Sequence, residues 1–241
     1  MKQLLSTLVF FALLHVVAQE KDPIVTDRPT QSAAVNTVGR GNLLVESGFI
    51  FENSTETVDF INVNSLFRFG ISDKVELRLT ANYDREEGLD FISSGIGVTS
   101  LGTKVFLFSS DNAFADISVL GQLNIPTGDN NDETTGEVRF NFQNQLSDLF
   151  ALGYNLGVLA SQEREYGLSP FYSIALSATL AEGWTAFIEP YGFLNAPADH
   201  RFNAGLVYLV TPRFQVDLTG GFGLTEESPD SFIGFGAAIG F

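Results

Sequence analysis

The chain has 241 residues, with 13 Lys or Arg against 29 Asp or Glu, a formal net charge of −16 and no cysteine. The acidic balance excludes nucleic acid as a partner, since that needs a basic footprint, and the missing thiols exclude disulfides and thiolate metal sites. Charged residues make up only 17% of the chain, fewer than the roughly 25–35% of a soluble surface, so part of the outside is expected to face lipid.

Lys2 is followed by the apolar run from Leu4 to Leu14 and then by Val16, Val17 and Ala18. That order has the form of a secretory signal (residues 1–18) cut after Ala18. The run is shorter than the ~20 apolar residues of a spanning helix, and no later stretch is long and apolar enough to replace it. Placed in a membrane, this sequence is therefore a barrel. Residues 19–40 are polar, carry Pro23 and Pro29, and read as an extended periplasmic segment or a luminal tuck.

From Gly41 to Phe241 the chain alternates. Val75, Leu77, Leu79, Ala81 and Tyr83 oppose Glu76, Arg78, Thr80, Asn82 and Asp84, the two-residue period of a strand with unlike faces. Such runs predict twelve strands near 41–52, 58–70, 74–84, 97–109, 113–124, 136–146, 149–161, 168–180, 183–193, 201–211, 213–224 and 231–241. Each approaches the ~10 residues of a tilted membrane strand. Ile71–Asp73, Ser110–Asn112, Ser147–Asp148, Ala181–Glu182 and Thr211–Pro212 read as tight turns. The alternate connections, at Glu52–Glu56, Asp84–Asp90, Gly128–Glu133, Gln162–Glu165 and Thr225–Asp230, are longer and acidic. Short turns alternating with long loops predict an all-β, antiparallel up-and-down transmembrane barrel with both termini periplasmic.

A soluble lipocalin-like barrel would bury the apolar stripe instead. The Asn, Gln, Ser and Thr of the polar face suit a wet lumen better than a solubilising exterior, which favours lipid outside. The last strand should then close the barrel against 41–52 and point Ile233, Phe235, Ile239 and Phe241 at lipid. Phe235, Ile239 and Phe241 are the expected assembly signal, with the barrel assembly machinery as partner. Outer-membrane lipid and lipopolysaccharide are the expected surroundings, in the outer membrane of a Gram-negative cell. Tyr83, Tyr154, Tyr172, Trp184 and Tyr208 are candidates for interface girdles.

The expected luminal face carries Glu46, Arg68, Glu76, Arg78, Lys104, Asp116, Arg139, Glu189 and Asp217. Charges in a low-dielectric wall are paired or solvated. They form a ladder that sets selectivity, a means of plugging the periplasmic half, or ordinary interior ion pairing. Their near balance of sign opposes strong ion selectivity. Asp129–Glu133 offers oxygen ligands but lacks the Gly and spaced Glu of a calcium loop, so a solvated tip is expected, with no metal and no cofactor. His200, the one histidine after the signal, lies beside Asp199, yet no Ser in a recognisable nucleophile setting accompanies the pair. No catalytic residue is therefore assigned.

Ile24-Val-Thr-Asp-Arg-Pro-Thr-Gln-Ser32 followed by Gly41-Asn-Leu-Leu-Val-Glu-Ser-Gly-Phe-Ile-Phe51 resembles the opening of outer-membrane transporter barrels grouped as "Putative MetA-pathway of phenol degradation". Leu123-Asn-Ile-Pro-Thr-Gly128 and Gln215-Val-Asp-Leu-Thr-Gly-Gly221 are similar to later elements of that family. Thr30 stands where the family pattern carries Asp. The resemblance implies a porin-like transporter passing small solutes, with aromatic or hydrophobic compounds among them. The alternatives are a structural or adhesive barrel with a filled lumen and a lipid-modifying enzyme.

Overall fold

The computed structural model describes residues 22–54, 59–87, 92–111, 114–127, 133–161, 167–195 and 198–241. The signal segment and most of the acidic stretch 129–133 lie outside these residues. The strands are β1 (Leu43–Asn53), β2 (Asp59–Ser72), β3 (Val75–Glu87), β4 (Ile92–Ile96), β5 (Val98–Phe108), β6 (Asp116–Pro126), β7 (Thr135–Gln145), β8 (Phe150–Ala160), β9 (Leu168–Ala181), β10 (Trp184–Phe193), β11 (His200–Thr211), β12 (Phe214–Gly223) and β13 (Ser231–Gly240).

Neighbouring strands pair antiparallel around the ring, and β1 pairs with both β2 and β13. Phe49 sits opposite Phe235, and Phe241 N–H donates to Leu43 O at 2.8 Å just beyond the last paired residues. The ring is thereby closed and its wall has no free edge; among the described strands only β4, which pairs with β3 alone, keeps an unpaired side. The barrel has twelve staves, because β4 and β5 both pair with β3 and form one stave broken at Gly97. Tyr83 pairs with Ile96 and Thr80 with Ser100, so one extra residue is accommodated between them, as in a β-bulge. The bulge reverses the parity of the outward face: Ile92 and Ile96 are exposed before it, Leu101 after it.

That stave corrects the sequence reading, which began it at residue 97 and treated Asp84–Asp90 as loop. The β3–β4 hairpin carries its ladder to Glu87 and Ile92. Asp84, Arg85, Glu86 and Glu87 look like loop residues because charges are costly in lipid, whereas a strand rising past the membrane into water meets no such cost. The expected tight turn at Ser110–Asn112 is also longer than read, since β6 begins at Asp116, whose carboxylate accepts from Ser110 N–H at 2.6 Å.

The alternation sorts side chains as a lipid-facing barrel requires. Ile233, Phe235, Ile239 and Phe241 are exposed on the outside, while Gly234, Ala238 and Gly240 are buried on the inside. Phe235 stacks between Phe49 and Phe51 across the closing seam, with centroids at 5.3 and 6.0 Å. Trp184 stacks on Tyr208 at 4.4 Å beside the short β9–β10 turn, and Phe142 on Tyr154 at 4.9 Å. The interior, in contrast, buries Glu46, Arg68, Glu76, Lys104 and Glu189 completely.

Candidate pore and its plug

Residues 22–42 run inside this interior. Ile24 N–H donates to Pro212 O, and Gly41 N–H to Gly70 O, so both ends of the segment sit among the short turns. Its middle reaches mid-barrel, where Arg139 Nη1 donates to Gln31 O at 3.0 Å. The segment thus enters the periplasmic half, turns at Pro29–Ser32 and returns to begin β1. Extended backbone in a barrel needs partners for every N–H and C=O, and the inward-facing side chains supply them.

The β1–β5 wall supplies charges. Arg68 makes ion pairs with Glu46 at 2.9 Å and with Glu76 at 3.0 Å. The same guanidinium donates to Val25 O at 3.0 Å and Asn36 O at 2.8 Å, clamping the descending and ascending arms together. Arg78 bridges Glu76 at 2.9 Å and Asp27 at 2.6 Å. Lys104 Nζ lies 3.4 Å from Asp27 and donates to Ala34 O at 2.8 Å. Glu46 accepts from Asp27 N–H and Arg28 N–H, both at 2.9 Å. Three carboxylates (Asp27, Glu46, Glu76) therefore meet three cations (Arg68, Arg78, Lys104), which is how charge can be buried without a net cost too large to carry.

Glycine makes room for a further contact. Gly48 of β1 and Gly236 of β13 pair directly across the seam. A Cβ on either would run into the Arg28 guanidinium. With none there, Arg28 lies flat on the wall and reaches Asp217 at 3.0 Å. The small inner face of the closing strand is thus shaped for the plug.

The opposite wall, β8–β10, holds the turn without a cation of its own, the charged donor to the turn being Arg139 of β7 on Gln31 O. Glu189 accepts from Gln31 N–H at 2.8 Å, Ser32 N–H at 2.7 Å and Ser32 Oγ at 2.6 Å. Asn155 of β8 brackets Ala33, accepting from its N–H at 2.6 Å and donating to its carbonyl at 3.2 Å.

Of the nine expected luminal residues, the structure gathers Glu46, Arg68, Glu76, Arg78 and Lys104 into one cluster. It sets Asp217 and Glu189 on other parts of the plug and Arg139 above it, paired with Glu137 at 2.8 Å. Asp116 stays at the periplasmic turn. Sequence reasoning missed Asp27, the carboxylate at the centre of the cluster, and Asn155. Asp27 lies within the Thr-Asp-Arg-Pro stretch, so its signal was present in the motif; a lone luminal Asn has none.

Around the plug the lumen is hollow. A cavity of about 390 Å³ lies on its extracellular side, lined by Asn62, Asn64, Asn82 and Gln122 among others. Another of about 370 Å³ lies on its periplasmic side, lined by Gln143, Ser177 and Phe187. Arg28, Pro29, Thr30 and Ala33 line both, so a single turn of chain separates them. A third, of about 240 Å³, opens above Gln31 beside Phe171, Tyr191 and Phe193.

At the loop ends, Arg201 joins Asp199 at 2.8 Å and Glu52 at 3.0 Å. Burial alone would push the Asp199 carboxyl up; hydrogen bonds from Arg201 and Ser228, with the Arg201 charge, outweigh it and hold the group below its ordinary value. Ser228 Oγ donates to Asp199 at 2.6 Å, while the His200 ring turns away to Tyr172 at 3.4 Å. Ser228, His200 and Asp199 therefore do not form a Ser–His–Asp relay, in which the imidazole stands between the other two.

Among solved structures, the chain is similar to the COG4313 outer membrane channel from Pseudomonas putida F1, with 12% identity, 88% of this chain and 100% of that one covered, and a TM-score of 0.69. It is similar to the KdgM porin in complex with disordered oligogalacturonate (10% identity, 81% and 99% covered, TM-score 0.59) and to the NanC porin (8%, 82% and 98%, 0.57). At these identities the likeness is one of fold, that of outer-membrane channels. No curated protein matches the chain. The family described as "Putative MetA-pathway of phenol degradation" matches residues 26–241, a span that runs from the plug to the closing strand, and the chain belongs to it.

Proposed function

We propose that this barrel is a passive outer-membrane channel for small solutes, held closed at rest by residues 22–42. The observation that carries this reading is the pair of cavities, on either side of the plug, with only the turn Arg28–Ala33 between them. A structural barrel has no need of two wet chambers; a filled lumen would pack this space with side chains, as small barrels do. Small shifts of the turn would join the chambers without breaking the wall. Among small solutes, ring compounds are favoured, because Phe171, Tyr191 and Phe193 border the entrance cavity.

The test is swelling of liposomes containing the refolded protein, with and without residues 19–40. The intact protein should pass solutes slowly and the shortened one at least several-fold faster. Equal impermeability of both, with each barrel folded, would remove the channel reading.

A further inference from the structure

The space outside the plug has two unlike walls. On the β2–β6 side amides and hydroxyls predominate, beside Leu66, Leu120 and Arg78: Asn64 donates to Asn82 at 2.6 Å, Ser100 to Asn124 at 2.7 Å, and Gln122 to Asn124 at 3.1 Å. On the β9–β10 side they are rings: Phe171, over which the Arg139 guanidinium already lies at 4.8 Å, meets Phe193 edge-to-face at 5.9 Å, and Tyr191 borders the same cavity. The two cavities concerned adjoin at Gln31 and Arg139, which line both; together they make up the vestibule outside the plug, of a size ordinary for small-ligand sites.

Its guanidinium groups are all in ion pairs: Arg139 with Glu137, Arg201 with Asp199 and Glu52, Arg28 with Asp217, and Arg78 with Asp27 and Glu76, although Arg78 Nε itself has no acceptor. An anion would have to compete with those carboxylates, and the chain's net charge of −16 repels it on approach. A purely apolar solute fits the rings but strips water from the amide wall without replacing its hydrogen bonds, which is costly. The occupant that satisfies both walls has one apolar face to lay on a ring and several groups that each donate and accept, matching Asn and Gln, which do the same.

We infer that the vestibule binds an uncharged, polyhydroxylated ring compound of the saccharide class, between the Phe171–Tyr191–Phe193 rings and the Asn64–Asn82–Gln122 amides. This rests on the channel reading for its purpose but not for its detection. The sugar's C–H face lies on the Tyr191 or Phe193 ring, and its equatorial hydroxyls reach the amides across the vestibule. The vestibule floor includes Asp27 and Arg78 of the ion cluster, but the cluster's ion pairs are made without Tyr191 or Asn64.

Saturation-transfer NMR on the full-length refolded protein in nanodiscs, with maltotriose as the probe, tests it. Maltotriose should receive saturation. Tyr191→Ala and Asn64→Leu should each weaken binding about three- to ten-fold, the scale of one lost aromatic or amide contact. Both variants must keep the wild-type heat-dependent shift in gel mobility that reports a folded barrel. Benzoate and toluene, the anionic and apolar controls, should not displace the sugar. No transfer to maltotriose, displacement by toluene, or transfer unchanged in both folded variants would overturn the assignment. Maltotriose binding to a barrel that fails to swell liposomes would instead leave this site standing and remove the channel reading.

Discussion

The two walls that hold the plug do so by different means. The β1–β5 wall grips its arms with three cations and two carboxylates, completed by Asp27 of the plug, whereas the β8–β10 wall grips its turn through one carboxylate, one amide and one hydroxyl, that of Ser173. Ion pairs buried in a protein add little net stability, but leaving one member unpaired is expensive. The arms are therefore fixed in register. The turn rests on Glu189, whose hydrogen bonds to Gln31 and Ser32 are all to uncharged donors. The barrel combines an immovable root with a tip that can be released, and the tip is the part that separates the two chambers.

The severest way to break this contrast is to remove the root's central cation. Arg68→Met leaves Glu46 and Glu76 facing each other and unclamps Val25 and Asn36. Stability should fall by about 3–5 kcal/mol, the usual penalty for orphaning a buried charge, read by urea unfolding of the refolded protein in micelles. Solute permeation should rise with it. A variant as stable and as closed as the wild type would mean that Arg78 and Lys104 anchor the root unaided.

A smaller effect follows from filling the space beside Arg28. Gly236→Val places a side chain where the Arg28 guanidinium lies, so the ion pair with Asp217 is lost while the main cluster keeps its partners. A cost of roughly 1–3 kcal/mol is expected, that of a buried polar group losing its partner. Conductance in planar bilayers should show longer openings than the wild type. Unchanged gating would place the restraint on the turn with Glu189 alone.

The barrel was legible in the sequence because lipid outside and polar groups inside impose a period of two on every stave, as from Val75 to Tyr83. The closing strand was legible for the same reason, down to which residues face outward. Twelve staves were counted correctly, but the bulge at Gly97 was not seen: a single extra residue shifts parity without altering composition. The lumen was legible only as a set of charged residues. Glu46, Arg68 and Lys104 stand on three different strands, and their convergence on Asp27 depends on a segment that has no period at all. Proline and polar residues in 22–40 are compatible with a free tail and with a tuck. What decides is the match between backbone donors on the segment and acceptors on the wall, and no property of the segment alone encodes it.

The gentlest change sharpens the contrast most. Glu189→Gln keeps the size and one acceptor oxygen of the side chain but replaces the other acceptor with a donor. Glu189 now receives three hydrogen bonds on its two oxygens, all of which need acceptors. The amide can serve Ser32 through its oxygen, yet it turns an N–H toward the N–H of Gln31. Charge-assisted bonds are about twice as strong as neutral ones, so the turn should lose about 1–2 kcal/mol of its hold. The root is untouched, and global unfolding should shift far less than in Arg68→Met. The expected signature is a closed barrel of near-normal stability whose Gln31–Ser32 amides exchange with deuterium at least ten-fold faster, while those of Asp27 and Arg28 do not. Equal acceleration at both places would show that the plug moves as one body and that the root and tip are not separate devices.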